Sequence, residues 1–180
     1  MATNTLSISS KLPTFNLKGI DGNLYSPDSF AGANALIIIF SCNHCPYVQA
    51  YEGRMIEIQK KYREKGVHVI AINSNDDVSY PDDSFENMKK RASEQNFNFP
   101  YLRDEDQSIA KAFDATHTPE IFLFGKNGEL VYHGKIDDNW QEPEKVVNHY
   151  LEDALVELLG KKEISVPETY SIGCTIKWKR

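Results

Sequence analysis

Short apolar runs alternate along this chain with amphipathic stretches, and the order of the two predicts its architecture. "ALIIIF", Ala35–Phe40, is a continuous apolar run with three isoleucines. It is too short for a buried helix and rich in β-branching, so it reads as a strand covered on both faces. In the stretch that follows, Val48, Tyr51, Met55, Ile58 and Tyr62 recur at spacings of three and four, which predicts a helix with one apolar face. Gly66 ends that helix, and "VHVIAIN", Val67–Asn73, reads as a second buried strand. Strand, helix, strand in this order predicts a βαβ unit with parallel strands, and therefore an α/β domain.

The flanking pattern extends this unit. Residues 15–18 and 23–25 bracket Asp21-Gly22, which predicts an N-terminal hairpin, and Ser26-Pro27 reads as the start of a short helical turn. A polar loop, residues 74–83, precedes a surface helix over residues 84–95. A short strand at residues 99–102, a short helix at 107–113 and an antiparallel hairpin of "EIFLF" and "LVYHGK" follow. The last helix is expected to open near Pro143, to bury Val147, Leu151, Ala154, Leu155 and Leu158, and to stop at Gly160. In the tail, Ile172, Cys174, Ile176 and Trp178 alternate with polar or small residues, the period of a half-buried strand.

A chain of 180 residues suits one domain, residues 1–180, with residues 1–11 and 161–180 as terminal extensions. Its 41% hydrophobic and 26% charged residues are an ordinary globular composition. The net charge of -6 argues against a nucleic-acid partner. The absence of a long apolar run argues against a membrane one. "MATNTLSISSKLP" has no apolar core of a signal peptide, so the expected compartment is the cytoplasm.

That setting sharpens the meaning of "FSCNHCPYV". Structural disulfides are rare in a reducing compartment, so a close pair such as Cys42 and Cys45 reads as catalytic or metal-binding. Cys42 is expected near the helix N-cap with Cys45 about one turn in, where unpaired N–H groups and the helix dipole stabilise a thiolate. His44 between them is a candidate modulator of thiol pKa. Two metal readings compete. A structural zinc needs a second ligand pair, and the sequence has none. Copper(I) fits two thiolates and a histidine, with His117 as the candidate third ligand. Two packed core cysteines are the plain alternative. Cys174 reads either as a buried small hydrophobe or as a third redox thiol. His133 and His149 read as surface residues.

The cysteine pair between strand and helix, followed by "THTPEIFLF", resembles the thioredoxin fold. "LPTFNLKGIDGNLYSPDSF" and "FPYLRDEDQSIAKAFDATHTPEIFLFGKNGELVY" resemble the redoxin branch, the alkyl hydroperoxide reductase/thiol-specific antioxidant superfamily. "CNHCPYV" with a C-terminal "GCTIKWK" is similar to peroxiredoxin-like members of the thioredoxin family. The resemblance implies a mixed central sheet flanked by helices, with the N-terminal hairpin and the tail strand as additions. It implies Cys42 as the exposed attacking thiolate and Cys45 as the buried resolving cysteine. It implies Pro119 as a cis-proline facing the pair, and Thr118 as the residue that offers backbone groups to a bound peptide. The implied function is thiol–disulfide exchange in cell redox homeostasis. The substrate would be a disulfide-bearing protein or a small thiol or peroxide, electrons would come from a partner thiol, and no organic cofactor would take part. A thiol peroxidase with Cys45 as the peroxidatic residue, and a copper(I) chaperone, are the alternatives.

The departures from the pattern are specific. Residues 35–41 carry no buried acid, and Ser41 stands where thioredoxins have tryptophan. No arginine stands just before "EIFLF", where Pro119 is found instead; Arg54 and Arg103 are the candidates for a peroxide site.

Overall fold

The computed structural model describes residues 6–180, so residues 1–5 of the expected 1–11 extension lie outside it. The apolar run Ala35–Phe40 is the central strand β3, buried along its whole length. Its alternating side chains feed two cores. Ala35, Ile37 and Ile39 face one of them, and Leu36, Ile38 and Phe40 the other. Helix α1, Pro46–Tyr62, buries Val48, Tyr51, Met55, Ile58 and Tyr62, the residues whose spacing predicted it. Gly66 then takes a left-handed turn, φ 74°, which only glycine adopts without strain. The chain enters β4, Val67–Asn73, parallel to β3.

The N-terminal hairpin, β1 (Leu17–Gly19) and β2 (Leu24–Tyr25), joins this sheet through β5, Tyr101–Arg103. Next in sequence come β6 (His117–Thr118), β7 (Glu120–Gly125) and β8 (Leu130–Gly134). Among the described residues, seven strands form one mixed sheet in the order β2-β1-β5-β4-β3-β7-β8. Helices α1, α2 (Phe85–Gln95) and α4 (Tyr150–Leu159) contribute buried residues to one face. Helix α3 (Ser108–Phe113) and the N-terminal segment cover the other.

Two expectations need correction. The last helix does not open at Pro143: a separate short turn covers Pro143–Lys145, and α4 starts at Tyr150. Asp138 is the reason. Its carboxylate accepts from the backbone N–H groups of Val147 and Asn148 at 3.0 and 2.9 Å, holding that stretch out of the helix. Val147 is consequently exposed. The tail strand is also shorter than its alternation suggests. β9 covers only Cys174–Thr175 and pairs with β6 rather than with the main sheet. Ile176 is buried, whereas Ile172 and Trp178 are exposed. Among the described residues, no helix is long and apolar enough to cross a membrane.

Candidate active site

The cysteine loop sits where β3 ends and α1 begins, at the carboxyl ends of the parallel strands, where open α/β sheets bind their ligands. Pro46 is the first residue of α1, and Cys45 is its N-cap, extended at φ -72° and ψ 124°. This corrects the expected placement of Cys42 at the cap and Cys45 inside the helix. The ring of Pro46 forces the residue before it out of the helical region, so Cys45 cannot be helical.

A second correction concerns exposure. Cys42 is 3% exposed and Cys45 is fully buried, so the pair has no open thiol. Both pack with Val48, Tyr47 and Cys174. Above them stands the loop of β6, whose Thr118–Pro119 peptide bond is cis. Thr118 meets both thiols. Its Oγ1 is 3.4 Å from Cys42 Sγ, and its carbonyl accepts from Cys45 Sγ at 3.4 Å. On the far side of Cys45, Cys174 Sγ approaches to 2.8 Å. All three cysteines are free thiols. Cys45 is thus the middle sulfur of three.

The charge distribution follows from that order. A thiolate on Cys45 is stabilised first by the S–H of Cys42, then by Cys174 and by backbone N–H groups including that of Val48 in the first helical turn. These effects outweigh the cost of burial and lower the Cys45 thiol below its ordinary range. Cys42 is pushed up, by its donation to Cys45, by burial and by the negative charge of Asp83. Burial, then Cys45, also raises Cys174.

Asp83 and Glu120 are the site residues that sequence patterning did not single out. Asp83 is fully buried. It accepts from the Asn43 N–H at 2.7 Å and from the side-chain amides of Asn73 and Asn75 at 3.1 and 2.9 Å. His44 Nδ1 stands 2.8 Å from Oδ2, the oxygen that accepts from Asn75, and the imidazole stacks parallel to Tyr80. Asp83 therefore ties the cysteine loop to the loop after β4, and it is the charged group acting on Cys42. Glu120, also buried, accepts from the N–H groups of Thr116 and His117 at 2.7 and 3.0 Å and contacts His133 Nε2 at 2.7 Å. It fixes the loop that carries Thr118. His133 is consequently half-buried rather than a surface residue.

His117 does not join the thiols. Neighbouring side chains of a strand point to opposite faces. With Thr118 turned toward Cys42, His117 instead contacts Thr116 Oγ1 at 2.7 Å. Among the described residues, the donors gathered within 4.8 Å of one another are those of Cys42, His44 and Asp83. That set joins one thiol to an imidazole and a carboxylate and does not include His117, the expected third ligand. The two arginines suggested for a peroxide site are engaged elsewhere. Arg54 donates to Asp137 and to two backbone carbonyls, and Arg103 to Glu105 and to the carbonyls of Asn73 and Asn75.

A cysteine pair at the mouth of a βαβ unit, faced by a cis-proline loop, defines a thioredoxin-like protein. The redoxin family model matches residues 8–151, and the chain belongs to that family. The chain resembles the crystal structure of an uncharacterized conserved protein from Geobacillus kaustophilus, with a TM-score of 0.90 and 39% identity over 98% of this chain and 94% of that one. It is similar in fold to the thioredoxin domain of a thiol-disulfide oxidoreductase from Bacteroides vulgatus, with a TM-score of 0.62 and 17% identity over 72% of this chain and 89% of that one. Thiol-disulfide oxidoreductase ResA of Bacillus thuringiensis subsp. konkukian is 24% identical over 129 residues, 70% of this chain and 68% of its own length.

Proposed function

We propose that the protein is a thiol–disulfide oxidoreductase whose working pair is Cys42 and Cys45. The observation that carries this reading is the buried Cys45 sulfur at the N-terminus of α1, between the thiols of Cys42 and Cys174. A thiolate is the nucleophile of disulfide exchange, and this arrangement favours the thiolate on Cys45. Cys45 attacks a substrate sulfur and expels the other substrate thiolate, forming a mixed disulfide. Cys42 then attacks Cys45, expels the second substrate thiolate and closes the Cys42–Cys45 disulfide. The order is the reverse of the one the thioredoxin resemblance implies; the buried Asp83 carboxylate, within 4.8 Å of the Cys42 sulfur, disfavours a thiolate there and supports it. Thr118 and Pro119 supply the surface against which the substrate backbone lies once the tail strand Cys174–Thr175 gives way. The engaged arginines favour exchange over peroxide chemistry.

Serine variants test the assignment against a protein disulfide such as insulin. Cys45→Ser abolishes turnover, and Cys42→Ser combined with Cys174→Ser, which also removes the thiol 2.8 Å from Cys45, abolishes turnover and accumulates the mixed disulfide. Full turnover in either variant refutes the pair; accumulation only in Cys45→Ser restores the opposite order.

A further inference from the structure

The cis-proline loop is not free. β6 pairs with β9, with Thr118 opposite Cys174 and His117 opposite Thr175. Ile176 extends the pairing by donating its N–H to the Thr116 carbonyl at 2.9 Å. Gly173 passes so close to the loop that a Cβ there would lie 2.1 Å from the Thr118 carbonyl oxygen. Beyond Cys174 the tail is held at several independent points. The Lys177 carbonyl accepts from the Asp76 N–H at 2.8 Å and from Gln107 Nε2 at 2.9 Å. The Lys177 N–H donates to Asn75 Oδ1, and the Lys179 N–H to Gln107 Oε1, each at 2.9 Å. Ile176 is buried in the core beneath α3. Upstream the tail is tied again, where the Thr169 hydroxyl meets Tyr132 and the Lys135 N–H. The result is a strap anchored at both ends, with its cysteine pressed against the reacting sulfur.

We propose that Cys174 is a third redox thiol of this site, delivered to Cys45 by a tail strand lying where a substrate strand would lie. The proposal rests on the exchange reading of Cys42 and Cys45. In the oxidised protein the Cys174 thiolate attacks Cys45 Sγ. The Cys45–Cys174 bond forms as the Cys42–Cys45 bond breaks. The electron pair of the broken bond leaves on Cys42 Sγ, which takes up the proton that Cys174 released. No electrons enter or leave; one disulfide has moved from the loop to the tail. Packing alone does not require this arrangement. Cys174 is only partly buried, whereas Ile176, two residues on, does the packing.

The test is disulfide mapping after oxidation of the reduced full-length protein with diamide, followed by an acid quench and peptide mass spectrometry without reduction. Wild type is expected to yield both the Cys42–Cys45 and the Cys45–Cys174 bond. Cys42→Ser yields only the second, and Cys174→Ser only the first. Free Cys45 and Cys174 in oxidised Cys42→Ser, under conditions that close Cys42–Cys45 in Cys174→Ser, overturn the third thiol and leave the exchange reading intact. The opposite result, closure with Cys174 but never with Cys42, overturns the exchange reading instead. Where serine at position 42 disturbs folding, Cys42→Ala is read in its place. Wild type needs no substitution, and absence of any bond to the tail peptide there refutes the proposal.

Discussion

Gly173→Ala perturbs the contact between the tail and the cis-proline loop most locally. The added Cβ would meet the Thr118 oxygen at 2.1 Å and the Thr118 carbonyl carbon at 2.7 Å, both backbone atoms that cannot swing aside. An ordinary carbon–oxygen contact in paired strands is about 3.3 Å, so β9 must retreat by roughly 1 Å. The Ile176 N–H to Thr116 bond, 2.9 Å in the native protein, then stretches beyond hydrogen-bond length. Losing one or two such bonds costs about 1 kcal/mol each. Withdrawing part of the Ile176 side chain from the core costs about 1–2 kcal/mol more. The docked tail is therefore destabilised by about 2–4 kcal/mol, a roughly 30- to 700-fold fall in the ratio of docked to undocked chains. Amide hydrogen exchange reads this directly. The Ile176 N–H is expected to lose protection by that factor, while amides of β4 keep theirs because the tail does not pair with that strand. Unchanged Ile176 protection in a variant with unchanged melting temperature would refute the reasoning, since the strand would have absorbed the clash without moving.

Other outcomes follow from the same geometry. Asp83→Asn removes the negative charge that raises Cys42, so the Cys42 thiol is expected to titrate at lower pH, and an unchanged titration contradicts that cause. Asp83→Ala additionally leaves the Asn43 N–H and the Asn73 and Asn75 amides without their acceptor, and a loss of about 2–4 kcal/mol in denaturant unfolding is expected. The ultraviolet absorbance of the thiolate should show one thiolate surviving well below the ordinary thiol value of about 8.5. Because the folded Cys45 value is lowered, falling pH protonates it last, after Cys42 and Cys174, whose values are raised. Cys45→Ser removes that low-pH signal, and its persistence in this variant would place the thiolate elsewhere.

How far the sequence discloses this site depends on whether each feature is local. β3, α1 and β4 were legible because their apolar residues follow the period of the element they form. The cysteine pair and the proline loop were legible as motifs. Asp83 was not, because its role comes from donors on two other stretches of chain that only the folded loops bring together. Polar residues such as Asn73 and Asn75 at the carboxyl end of a buried parallel strand were the available signal. Glu120 was hidden in "EIFLF", a buried acid inside an apolar run whose partners are backbone N–H groups of the preceding loop. The start of α4 was misjudged because Asp138, a side chain outside the helix, captures the N–H groups that would have opened it. The tail alternation correctly turned Cys174 and Ile176 inward. It could not show that β6, and not the main sheet, is their partner.

Whether Cys45 and Cys42 exchange with disulfides is decided by rapid mixing of the fully reduced protein. One arm uses a protein disulfide and the other hydrogen peroxide, each followed by mapping of the bonds formed. Closure of Cys42–Cys45 against the disulfide is expected to be fast, and oxidation by peroxide no faster than that of a free thiol. Rapid peroxide oxidation beginning at Cys45, in a protein inert toward the disulfide, would contradict the exchange reading.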